Sequence, residues 1–107
     1  MDALNQKKEE IKKIIPTLKI ELPATEINSK ALQILVLLKD MNALEPKKYD
    51  FPISNLSLTI NKEVNLISFY ENPAYKSNAP KKSMDRYLES KDKAIKQIKV
   101  DVTSSIA

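Results

Sequence analysis

The chain has 107 residues, 42 % of them hydrophobic and 30 % charged, with 18 basic against 14 acidic side chains and a net charge of +4. It contains no Gly, Cys, His or Trp. The missing Gly excludes phosphate-cradling and dinucleotide-binding loops, whose backbone needs positive φ or close approach to a phosphate. The missing His and Cys exclude thiolate nucleophiles, disulfides and the usual zinc, haem and iron–sulfur ligation.

The length is that of a single domain over 1–107, long enough to bury one core without covalent staples. No apolar run approaches the roughly 20 residues a membrane span requires, and the charged amino terminus, MDALNQKKEEIKK, lacks a signal-peptide apolar core. A soluble protein of the cytoplasm, or of a virion or host-cell interior, is expected. Seventeen of the eighteen basic residues are Lys, with Arg86 alone as Arg. That bias, beside abundant Ile and Asn, fits an AT-rich genome.

Residues 2–15 carry Leu4, Ile11, Ile14 and Ile15 on one side and read as a helix stopped by Pro16. Thr17 to Leu22 alternates apolar and polar residues and predicts a strand over 17–22. A second helix is expected over 25–43, the most apolar stretch of the chain. It contains Ile34 to Leu38, five apolar residues in succession. Its apolar arc covers more than half the circumference, so several neighbours have to cover it.

Residues 45–55 read as a connection or edge strand, because Pro52 cannot donate to a sheet. Leu56, Leu58 and Ile60 alternate with polar residues, and Val64 to Tyr70 is apolar on both faces. Around Asn61-Lys62-Glu63 these predict a hairpin of strands 56–61 and 64–71. Residues 72–83 carry two prolines and no periodicity, and predict a flexible loop. A last helix is expected over 84–102, capped by Ser83. The expected fold is α+β: a small, mostly antiparallel three-stranded sheet with three helices packed on it.

No spacing of carboxylates, Ser, Lys or Tyr resembles a catalytic constellation, so the chain is expected not to be an enzyme and to need no metal or cofactor. Asp85, Glu89 and Asp92 share a helical face, but interleaved Lys and Arg make that face an ion-pair surface. Two binding functions are left. The first is a protein–protein interaction or assembly component, working with a protein partner or by self-association. Leu37 lies within the polar stripe of the central helix, which nominates Gln33, Val36, Leu37 and Asp40 as interface residues. The second is non-specific nucleic-acid binding. Residues 81–99 hold seven basic against three acidic groups, for an excess of +4. Lys76, Lys81, Lys82, Arg86, Lys93, Lys96 and Lys99 are the candidate phosphate contacts, with Tyr75 placed to stack on a base.

Overall fold

The computed structural model describes residues 3–71 and 81–106, the side chains of 81–84 excepted. Helix α1 (Ala3–Ile14) runs into a 3₁₀ turn (Ile15–Thr17), followed by α2 (Ala24–Leu44). Helix α3 (Asp50–Thr59), a π-helical segment (Ile60–Val64) and α4 (Asn65–Glu71) form one continuous rod. Helix α5 (Lys81–Ile106) completes the fold. There is no strand among the described residues, so the expected α+β arrangement and its three-stranded sheet are replaced by a helical bundle.

Each misread segment has a physical explanation. In 17–22 Leu18 is buried in the core, at 1 % exposure, Leu22 is half-buried against its edge and Ile20 faces outward. Two tight turns, Leu18 N–H to the Ile15 carbonyl and Leu22 N–H to the Lys19 carbonyl, replace strand pairing. The supposed hairpin is helical because its buried positions, Pro52, Leu56, Ile60, Val64 and Ile67, recur every three to four residues. Asn61-Lys62-Glu63 has no Gly to supply the positive φ of a two-residue turn. Pro52 sits in the first turn of α3, where its missing N–H costs no helical bond.

Ser83 is not a cap, since α5 begins at Lys81; α2 begins at Ala24 after Pro23. Residues 72–80 of the predicted loop, with Tyr75 and Lys76, lie outside the described residues, whereas 81–83 belong to α5. The Asn42 side-chain carbonyl accepts from the Tyr49 N–H at 3.0 Å and its amide donates to Asp50 at 2.9 Å, which ties the end of α2 to the start of α3. The left-handed residue of that connection is Lys47, at φ 69°.

Successive elements run antiparallel. Lys7 reaches Asp40, placing the start of α1 beside the end of α2. Glu71 reaches Ala24, placing the end of the rod beside the start of α2. Lys93 reaches Glu63 across α5 and the rod. Helix α2 packs on α1 along one flank and on the rod along the other, and α5 packs on the rod. The main core draws Ile11 from α1 and Ile27, Ala31, Ile34, Leu38 and Met41 from α2. Leu56, Ile60 and Val64 enter from the rod, and Ile95, Ile98 and Val102 from α5. The molecule is elongated, 51 × 22 × 19 Å, with a radius of gyration of 15.1 Å. A compact domain of this length has about 13 Å. The surplus surface leaves several large apolar side chains outside.

Leu38 is fully buried and Leu58 is 51 % exposed. Truncating Leu38 to Ala is expected to cost about 2–5 kcal/mol, while Leu58→Ala should cost below about 1 kcal/mol. Denaturant midpoints measure both. Equal and large losses would restore the hairpin, in which Leu58 faces the core.

Candidate functional site

A depression of about 680 Å³ lies between α1 and α2. Its lining is mainly apolar: Ile14 from α1 with Leu32, Val36 and Leu37 from α2, rimmed by Glu10, Lys13, Ser29 and Gln33. Leu32 and Val36 stand one helical turn apart, at 43 % and 57 % exposure. This groove arises because the apolar arc of α2 is wider than its two covering elements. Helix α1 and the rod each pack on α2, and the strip of α2 that carries Leu32 and Val36 stays open.

Three of the four nominated interface residues, Gln33, Val36 and Leu37, line this groove. Leu37 is half-buried against the edge of the main core, so Val36 and not Leu37 is the protruding side chain. Asp40 lies beyond the groove and pairs with Lys7 at 3.5 Å. Lys7 is half-buried and Asp40 exposed, and solvent screening holds the pair to about 1 kcal/mol or less. Ile14, Ser29 and Leu32 were not nominated. Leu32 and Val36 were legible as an i, i+4 apolar pair, but nothing in the sequence says which side of so apolar a helix is left uncovered.

The basic candidates do not form one surface. Taking about 100° per residue, Arg86 and Lys93 share a face of α5, with Lys96 about 80° and Lys99 about 140° around the helix. Lys93 pairs with Glu63 at 3.8 Å, Lys96 pairs with Asp92 at 2.9 Å, and Lys99 is half-buried. Lys81 and Lys82 belong to the first turn of α5, and Tyr75 and Lys76 lie outside the described residues. Among the described residues, no group of three or more acidic side chains gathers to hold a metal ion, and no helix is long and apolar enough to cross a membrane.

A polar cluster stands where the end of the rod meets α2 and α5. Both carboxylate oxygens of Glu71 accept from the Ala24 N–H, at 2.9 and 3.0 Å. A carboxylate at the amino end of α2 also complements the helix dipole. The Tyr87 hydroxyl donates to Glu71 at 2.7 Å, and Lys91 donates to that hydroxyl at 3.0 Å. Lys91 is only 4 % exposed; its ammonium lies 3.9 Å from Glu71 and 5.2 Å from the Tyr87 ring centre. Lys91 turns inward to a carboxylate 20 positions earlier. Burial first, then the bond donated to Glu71 and its negative charge, push the Tyr87 pKa upward. A phenol held neutral in this way neither donates nor accepts a proton near neutral pH. The cluster is satisfied internally and presents no nucleophile.

A second, more polar depression of about 440 Å³ lies between α3 and the end of α5, with Phe51 and Tyr49 in its wall. The Tyr49 hydroxyl is the one buried side-chain polar atom among the described residues with no hydrogen-bond partner. Burial, ahead of the nearby Glu45 charge, raises its pKa.

In a spectrophotometric titration Tyr87 is expected to stay protonated through the range, near pH 10, where a free tyrosine ionises. Tyr87→Phe should therefore remove no phenolate absorbance there, and loss of one tyrosine's absorbance would contradict the buried donor. No protein-family model matches the chain, no curated protein matches it in sequence, and no solved structure matches it in fold.

Proposed function

We propose that the chain is a non-catalytic protein–protein interaction or assembly component that docks a partner in the α1–α2 groove. The observation that carries this reading is the exposed pair Leu32 and Val36 on the helix that supplies seven buried side chains, joined by Ile14 and Leu37 into one apolar floor. A trough between two antiparallel helices suits a third helix laid along it. The occupant in this reading is an amphipathic helix of a partner protein, entering with apolar residues at i, i+3 or i+4 and i+7. The rim holds one acid, one base and two neutral polar groups, Glu10, Lys13, Ser29 and Gln33. Such a rim favours a partner selected by shape and apolar contact over one drawn by net charge.

The compartment belongs to the same reading. A fold with no cysteine depends on no disulfide and keeps its stability in a reducing interior, cytoplasmic or within a virion or host cell. Nucleic-acid binding through α5 is the weaker reading, because Lys93 and Lys96 already face carboxylates and Lys99 is half-buried.

The test uses Val36→Asp in the full chain. A charge at a position 57 % exposed leaves the melting temperature within a few degrees of the parent. Binding of the partner purified with the parent chain is expected to weaken by roughly tenfold or more, as for a truncated apolar anchor. Unaltered partner affinity would remove the groove as the docking surface. Association with random-sequence DNA that fades steeply with salt would favour the α5 reading.

A further inference from the structure

We infer that the Glu71–Tyr87–Lys91 cluster is a latch, and that the end of the bundle it fastens opens as a unit separate from the main core. The apolar packing at this end is a distinct small cluster of Ala24, Ile67 and Ala94 with Tyr87 against it, outside the main core group. Two of its three buried members are alanines, which offer little area to remove from water. The main core, by contrast, closes on Ile, Leu, Val, Met and Tyr side chains. What fastens this end is polar: one carboxylate that takes the first N–H of α2, the Tyr87 hydroxyl and the charge of Lys91.

The connection is of long range. Glu71 and Ala24 are 47 positions apart, so the bond joins the last residue of the rod to the first of α2 and caps α2 only while the rod is docked. Removing the carboxylate leaves a buried ammonium without a counter-charge and a helix-terminal N–H without an acceptor, both at one end. Regions held by few apolar contacts open at lower free energy than the core they adjoin. Opening here uncovers Ile67 beside Leu66 and Phe69, which are 40 % and 56 % exposed already. The latch therefore governs how much apolar surface this part of the rod presents.

Hydrogen exchange followed by mass spectrometry on the full chain tests this. In the parent protein, amides of 24–26, 65–71 and 87–94 should exchange together and ahead of those in 34–41 and 98–102. Glu71→Gln keeps the side-chain shape without the charge, and Lys91→Met keeps the apolar stem without the ammonium. Each should speed exchange in those three segments roughly tenfold or more, the equivalent of losing a hydrogen bond to a charged group, with 34–41 and 98–102 unchanged. Leu38→Ala, placed in the main core, should speed chiefly 34–41 and 98–102. The latch is overturned if the parent's three segments exchange no earlier than 34–41. It is equally overturned if both charge variants accelerate exchange evenly across the chain or leave it unaltered.

Discussion

The constraint on which this structure depends is the coverage of α2. Seven of its side chains are buried: Ala24, Ile27, Ala31, Ile34, Leu35, Leu38 and Met41. They face more than one direction, so a single neighbour cannot shelter them. Helix α1 covers one flank and the 50–71 rod the other, and α5 closes over the rod. Each of these elements runs antiparallel to the one before it in the bundle, which lets short connections suffice. The groove and the elongated outline both follow from covering a wide apolar arc with two flanking cylinders.

The two ends of α2 are secured differently. At its carboxyl end, Asn42 bonds the backbone and side chain that begin α3, a local tie across seven and eight positions. At its amino end no nearby side chain caps the helix, and the acceptor is Glu71, brought in by the fold itself. A helix whose first N–H depends on a distant carboxylate is complete only when the rod is docked. Secondary and tertiary structure are coupled at that end and nearly independent at the other.

Legibility in the sequence followed the density of apolar residues. The helices over 2–15, 25–43 and 84–102 were readable within a few residues because their apolar stripes are long. Residues 56–71 were misread because Leu56, Leu58 and Ile60 satisfy a period of two as well as i, i+4. The decisive information, that Leu58 and Leu66 face outward, lies in tertiary packing. Ser, Thr and Asn within the rod also argued locally against a helix. Some of them are accommodated by bonding back to the preceding turn, as Thr59 does to the Asn55 carbonyl and Asn65 to the Asn61 carbonyl. The groove was half legible: Gln33, Val36 and Leu37 were nominated from α2 alone, while Ile14 and Lys13 required knowing where α1 lies. The Glu71–Lys91 pairing was not legible, since no local pattern links positions 20 apart.

The central claim is that the open strip of α2 that carries Leu32 and Val36 is where a partner docks. Site-specific photo-crosslinking from position 36, compared with position 58 on the outer face of the rod, tests it most directly. The account predicts one discrete adduct from position 36 whose attached peptide is an amphipathic helix, and none from position 58. Adducts from position 58 with none from position 36 would contradict it.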